Sequence, residues 1–264
     1  MSYWKNKTAI VTGGSSGLGR VVAQTLVDAG ANVVIGALEP EAVETAVNEL
    51  GPTAAGVAVD ITTDEGVERL FGLAIERFGQ LDMLVNNAGR THRGKVINTT
   101  PDVFRDWMEL NFLATVRCTR AAIPHLLPRR GHVVNIGSLA SKSAARWIGA
   151  YPATKFAVAA YSQQLRLELG PEGLHTLLVC PGPVARKDER LYPLAGTEDI
   201  PERALRPGAG VKTSRISPEQ LAAKILRYCE LRRPELVLPG RARLLFALIQ
   251  LWPSLGDWLV LRKT

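Results

Sequence analysis

Cysteine is scarce in this 264-residue chain, and the three present, Cys118, Cys180 and Cys229, are far apart and odd in number. They spell neither a disulfide framework nor a C-x-x-C metal or redox site, which fits a reducing cytoplasm. A secretory leader has no room either, because an apolar strand, Thr8-Ala9-Ile10-Val11, starts within a few residues of Met1. A cytoplasmic location is therefore expected, and the sequons at Asn6 and Asn98 carry no weight. Histidine is rare as well: His92, His125, His132 and His175 form no H-E-x-x-H or other ligand spacing, so no metal is expected. His92 alone, close behind an Asn-Asn-Ala-Gly turn, is a candidate for the substrate site. The formal charge of +7 is scattered rather than gathered in a recognition helix. That argues against a nucleic-acid partner and leaves an anionic cofactor or an anionic membrane surface as what the positive charge serves.

What is present reads as one folded α/β domain. The chain is 46% hydrophobic and 22% charged, and no repeat, low-complexity tract or linker divides it. Short apolar runs at residues 8–12, 32–35, 55–59, 81–86, 131–137, 176–180 and 236–238 alternate with stretches of helical period. Such alternation without hairpin signals implies right-handed crossovers and a parallel, doubly wound sheet, whose sites form at the carboxyl ends of the strands. Two stretches depart from it. One is the loop of residues 184–216, long enough to be a lid or substrate loop. The other is residues 241–264, an apolar extension with basic flanks beyond a catalytic domain of residues 1–240.

After the first strand comes Thr12-Gly13-Gly14-Ser15-Ser16-Gly17-Leu18-Gly19, then a helical segment. Glycines let a backbone approach a pyrophosphate, and the helix start offers free N–H groups and partial positive charge. Gly13-Gly14-Ser15-Ser16-Gly17 also satisfies G-x-S-x-G, which would make Ser15 a hydrolase nucleophile. That reading places the elbow on the first strand, lacks an oxyanion loop and leaves Gly19 unexplained. A P-loop fails because Arg20 follows the last glycine.

With this turn, Asn86-Asn87-Ala88-Gly89 after a strand, Tyr151-x-x-x-Lys155, and Ser138 thirteen residues before Tyr151, the sequence resembles the short-chain dehydrogenase/reductase family from about Lys7 to Pro239. The resemblance implies a Rossmann-like sheet of seven parallel strands, a homodimer or homotetramer, and an oxidoreductase acting on a carbonyl or secondary alcohol. It further implies that Asp60 and Ile61 flank the adenine and that Asn87, Ala88 and Gly89 meet the adenosine ribose. Pro181, Gly182 and Val184 would hold the nicotinamide amide. Asn111 would complete an Asn-Ser-Tyr-Lys tetrad by positioning a water that leads protons to Lys155, which would also bind the nicotinamide ribose. The family's Pro-Gly-x-Val-x-Thr pattern ends here in Arg186, which puts that cofactor contact in doubt.

The residue types suit this chemistry. Tyr151 and Lys155, four apart on a helix, share one face. A phenol of pKa about 10 is about 0.1% ionised at neutrality, too little for a base. One ammonium about 4 Å away at an effective dielectric near 20 is worth on the order of 4 kcal/mol, about three pKa units. In reduction the phenol is the acid and Ser138 orients the carbonyl oxygen.

An acid at position 37 would favour NAD, but Ala37 stands there. Leu38 stands where NADP-preferring relatives often carry Arg, and Glu39 could still reach a ribose hydroxyl, but small Ser15, Ser16 and Ala37, with Arg20 to assist, favour NADP over the alternative, NAD, and Glu39-Pro40-Glu41 is expected to open the next helix. Past residue 241, Pro253, Gly256 and Asp257 break the apolar run into two short helices rather than one spanning helix. Peripheral membrane contact through this tail, on the inner membrane surface, would suit a hydrophobic substrate, and packing within or between subunits is the competing expectation. Two other functions share these features: a 3-oxoacyl-carrier reductase, and a nicotinamide-sensing protein without turnover.

Overall fold

Thr8-Ala9-Ile10-Val11-Thr12 is buried along its whole length, as a strand covered on both faces must be. A computed structural model describes residues 2–185, 200–205 and 215–263. Its seven strands are β1 (Thr8–Thr12), β2 (Asn32–Ala37), β3 (Ala54–Ala58), β4 (Met83–Asn86), β5 (His132–Ile136), β6 (His175–Pro181) and β7 (Glu235–Leu238). They pair in parallel throughout, in the order β3-β2-β1-β4-β5-β6-β7, the Rossmann-like arrangement expected. Because the chain runs one way from β1 to β3 and the other way from β4 to β7, a crevice opens at the carboxyl ends of β1 and β4.

The connections are helical: α1 (Gly17–Asp28), α2 (Pro40–Leu50), α3 (Asp64–Phe78), α4 (Pro101–Met108), α5 (Ala114–Leu126), α6 (Tyr151–Glu168) and α7 (Pro218–Glu230). Alternate residues of β1 face opposite layers. Ala9 and Val11 pack with Val22 and Leu26 of α1, Val43 of α2 and Leu221 and Ile225 of α7. Ile10 joins Leu70 and Phe71 of α3 and Cys118 and Leu126 of α5 on the other face. Side-chain caps start α3, α4 and α7, where the hydroxyls of Thr63, Thr100 and Ser217 accept from Gly66, Val103 and Gln220 N–H.

Beyond β7 the chain forms α8 (Ala242–Leu251) and α9 (Pro253–Lys263), the two short helices that Pro253 divides. Ala242 and Phe246 of α8 pack on Val158, Leu178, Cys180 and Val237. The loop expected at residues 184–216 is described only at 184–185, 200–205 and 215–216, so most of it, Arg186 included, lies outside the described residues.

At the amino edge of the sheet, opposite the crevice, His132 and His175 are register partners on β5 and β6. Their Nδ1 atoms are 2.9 Å apart, Tyr3 Oη is 2.8 Å from His132 Nε2, and His175 Nε2 is 2.9 Å from the Arg233 carbonyl. That carbonyl can only accept, which fixes the tautomers: Tyr3 donates to His132, His132 to His175, and His175 to Arg233. Cys229 lies near enough to make a ligand triad with the two rings. All four ring nitrogens are nevertheless used in the chain, and burial drives the pKa of His132 to about 3 and of His175 to about 4. The cluster is a neutral bolt joining two strands and the α7–β7 turn.

Candidate active site

The glycine turn after β1 is shaped by conformation and by contact. Gly13 and Gly17 take φ of +63° and +54°, a region that other residues rarely adopt. At Gly19 a Cβ would stand 2.2 Å from the Gly13 carbonyl oxygen and 2.4 Å from Asn87 Nδ2. The turn is tied to the end of β4. Asn87 Nδ2 donates to the carbonyls of Thr12 and Gly13, and the Thr12 hydroxyl accepts the backbone N–H of Asn87 and Ala88. In α1, as in α2, α5 and α6, the N-cap side chain makes no capping bond, so the first N–H groups of the helix, at residues Gly17 and Leu18 of the cleft wall, are left without a side-chain partner. A glycine cradle under an uncapped helix start is the donor set that a pyrophosphate requires, so these residues fit a dinucleotide.

Above them lies a cleft of about 1390 Å³. Its wall includes Gly13, Ser15, Ser16, Gly17 and Leu18 from the turn, Ala37 from β2, Asp60 and Ile61 after β3, and Asn87, Ala88 and Gly89 after β4. Ser138, Tyr151, Pro181, Gly182 and Val184 complete the set of expected wall residues. Gly19, Asn111 and Lys155 do not reach the wall; they are buried behind it.

Tyr151 opens α6, and Lys155 lies one turn on. The lysine Nζ is 5.8 Å from the centre of the Tyr151 ring and donates to the Ile136 carbonyl at 2.8 Å. Burial lowers its pKa from 10.5 to about 8. A unit charge about 6 Å away at an effective dielectric near 20 is worth roughly 3 kcal/mol to a phenolate, but only while the amine keeps its proton, below about pH 8. Ser138 follows β5 as the N-cap of a 3-10 turn (Leu139–Ser141), and its Oγ accepts the Ala140 N–H at 3.1 Å. Capping uses the lone pair and leaves the O–H able to donate.

Asn111, expected to position a water, engages its side chain within the fold. Its Oδ1 accepts the Arg90 N–H at 2.9 Å, and its Nδ2 donates to the Arg90 carbonyl at 3.0 Å and to Thr154 Oγ1 at 3.2 Å. The carboxamide is spent on holding the loop after β4 to α6. Asn111 also sits in a π turn (Glu109–Leu113) between α4 and α5, the kind of local widening that redirects main-chain carbonyls. Thr154, fully buried, links Asn111 to the Tyr151 carbonyl, which its hydroxyl reaches at 2.8 Å.

Two other expectations are revised. Arg20 turns away from the cleft, bonding Glu49 Oε2 at 3.2 Å and Gln24 Oε1 at 3.3 Å, whereas Glu39 lines the cleft. His92 is not part of the wall. It stacks on Trp107 with ring centres 5.1 Å apart, and its Nδ1 accepts the N–H of Ala150, the N-cap of the helix that carries Tyr151. Burial, helped by Arg93, lowers its pKa and so preserves that acceptor.

Residues 7–189 match the family model for short chain dehydrogenase. The chain is 34% identical over 194 residues to the bovine "Dehydrogenase/reductase SDR family member 7B", a match covering 69% of this chain and 59% of that protein. It is 32% identical over 186 residues to an uncharacterised oxidoreductase of Staphylococcus aureus, covering 70% of this chain and 80% of the relative. Among solved structures, a short-chain dehydrogenase from Streptomyces avermitilis superposes with a TM-score of 0.82 at 31% identity, covering 99% of this chain and 98% of that one. A Burkholderia phymatum short-chain dehydrogenase/reductase in complex with NAD gives a TM-score of 0.84 at 23% identity, covering 97% of this chain and 96% of the other. The glycine turn, the tyrosine–lysine pair beside the cleft and these likenesses agree: the chain belongs to the short-chain dehydrogenase/reductase family.

Proposed function

We propose that the chain interconverts a carbonyl and a secondary alcohol on a hydrophobic substrate, with Tyr151 moving the proton. The observation that carries this reading is the burial of the Lys155 amine within reach of the Tyr151 ring, at the wall of a cleft whose other end fits a dinucleotide. A bound nicotinamide dinucleotide supplies or accepts the hydride. In reduction Tyr151 gives its proton to the carbonyl oxygen as charge develops there, and the Ser138 hydroxyl donates a second hydrogen bond that fixes that oxygen. Lys155 steadies the resulting phenolate, and oxidation runs the same transfers backwards. Leu139, Ile148, Leu205, Leu245, Phe246 and Val260 give the substrate end an apolar wall, which supports a hydrophobic substrate. Tyr151→Phe is expected to lower kcat by about 10²–10⁴ while dinucleotide affinity, measured by fluorescence titration, stays within a factor of two or so. Unaltered turnover would favour a nicotinamide sensor without catalysis.

Cofactor preference turns on Glu39. NADP was the expectation from the missing acid at position 37, with Arg20 to assist. With Arg20 paired to Glu49 and Glu39 in the wall, a 2′-phosphate would meet a carboxylate there, and NAD(H) is the reading that the geometry favours. An exposed like charge costs about 1 kcal/mol near 4 Å in water, so NADH should bind several-fold more tightly than NADPH. Tighter NADPH in a side-by-side titration would reverse the assignment.

A further inference from the structure

The α8–α9 hairpin has two apolar faces, and the domain uses only one. Leu245 and Phe246 of α8 and Val260 of α9 reach the substrate end of the cleft, and Phe246 packs on the core beneath β6 and β7. Gly256 makes the fold-back possible: a Cβ there would lie 2.8 Å from the Ile249 Cα. On the outer side Leu244, Leu251, Trp252, Leu255, Trp258 and Leu261 stay 43–74% exposed. A large apolar patch left open by a folded chain marks an interaction surface.

Charge names the partner. Residues 241–264 contain Arg241, Arg243, Arg262 and Lys263 against a single acid, Asp257. Arg241 and Arg243 open α8 and Arg262 lies at the end of α9, so in a hairpin the cations gather at the base, while Leu251, Trp252 and Leu255 surround the tip. Arg262 lies 3.9 Å over the face of the Trp258 ring, a pairing of cation and indole that suits the boundary between headgroups and acyl chains. Neither helix is long and apolar enough to cross a bilayer. A second copy of this chain would bring like charges together at such a face, whereas an anionic lipid surface neutralises them.

We propose that the α8–α9 hairpin is a docking surface for an anionic lipid bilayer, its tip in the interface and its arginines on the headgroups. The surface lies against the opposite side of the helices that wall the substrate end. A lipophilic substrate held in the bilayer would therefore have a short path to Tyr151; that link, unlike the docking itself, rests on the catalytic reading.

The test is flotation of the full chain with vesicles of phosphatidylcholine, alone or with one part in three phosphatidylglycerol. The chain is expected to float with the anionic vesicles and to be released by 0.5 M salt. Arg241→Gln/Arg243→Gln/Arg262→Gln should weaken binding roughly a hundred-fold, at about one contact per arginine. Leu251→Ser/Trp252→Ser/Leu255→Ser should abolish it with solution mass, by light scattering, unchanged. None of these residues lines the cleft, so NADH titration and melting report whether each variant is folded. If the serine variant fails to fold, the glutamine variant and the salt dependence decide alone. Failure of the wild type to float, or equal flotation of wild type and folded variants, overturns the proposal. A wild-type dimer that the serine variant splits would assign the face to a second copy. A chain that floats yet turns nothing over would overturn the catalytic reading and leave the docking standing.

Discussion

Replacing Lys155 by methionine should make the protein more stable and nearly inactive. Burial lowers the pKa of Lys155 from 10.5 to about 8, so at pH 7 the folded state holds a charge it disfavours by about 2.5 pKa units, on the order of 3 kcal/mol. The lost hydrogen bond to the Ile136 carbonyl returns about 1 kcal/mol, leaving a net gain near 2 kcal/mol. In a chain of this size that raises Tm by roughly 5 °C. The sign with pH is determined. The penalty is fully present below pH 8, where both states carry the proton. It fades between pH 8 and 10.5, where only the unfolded chain still binds it, so wild-type stability rises with pH there while the methionine variant, lacking that proton, does not share the rise. Calorimetry of the cofactor-free protein at pH 7 and pH 10 would show the gap between the two proteins closing. A variant no more stable than wild type at pH 7, or a gap of equal size at both pH values, would refute the reasoning. Activity should fall about a hundred-fold or more, since the phenolate loses its counter-charge.

The His132–His175 bolt predicts acid sensitivity. Unfolded histidines take up protons below pH 6.5 that the folded pair refuses until about pH 4 and 3, so stability falls with pH across that window, by about 4 kcal/mol at pH 5 for both rings. Urea midpoints that do not differ between pH 7 and pH 5 would contradict it. His92→Phe keeps the stack on Trp107 but removes the acceptor for the Ala150 N–H. An amide left without a partner costs about 1–3 kcal/mol, so Tm should drop by several degrees and kcat should fall more than KM changes, because the start of α6 is loosened. Normal kcat with a lowered Tm would reduce His92 to a structural role.

The sheet was legible because its central strands are buried on both faces, so most strands appear as short apolar runs, β5 with Asn135 inside it being an exception. The glycine turn was legible because Gly13, Gly17 and Gly19 meet conformational and contact limits that no side chain satisfies. Tyr151, Lys155 and Ser138 could be named because their order and intervals resemble the motifs of the short-chain dehydrogenase/reductase family; a helix turn then explains how the first pair can meet. What escaped was everything set by contacts distant in sequence. Arg20 is drawn to Glu49, twenty-nine residues on, and Asn111 is divided between Arg90 and Thr154, twenty-one residues before it and forty-three after. The π turn around Asn111 carries no composition signal, and a lone histidine at position 92 gives no hint that its ring supports the helix that Tyr151 opens.

The titratable groups at the two edges of the sheet are arranged on opposite principles. At the amino edge Asp82, nearly inaccessible, accepts from Thr8 N–H, Gln80 and Arg129, and the two histidines close their hydrogen bonds on Tyr3 and Arg233. These titratable groups are satisfied inside the protein, so they contribute rigidity. At the carboxyl edge the start of α1 has no side-chain cap, Ser138 caps its 3-10 turn in a way that leaves its own proton to give, and Lys155 keeps a charge against the cost of burial. Two of those arrangements are less stable than an obvious alternative: a capping bond at Ser16, or an apolar side chain at 155. The uncapped helix start and the costly charge stand together at one edge, with nothing comparable among the described titratable groups of the other, and that convergence supports placing the proposed chemistry there.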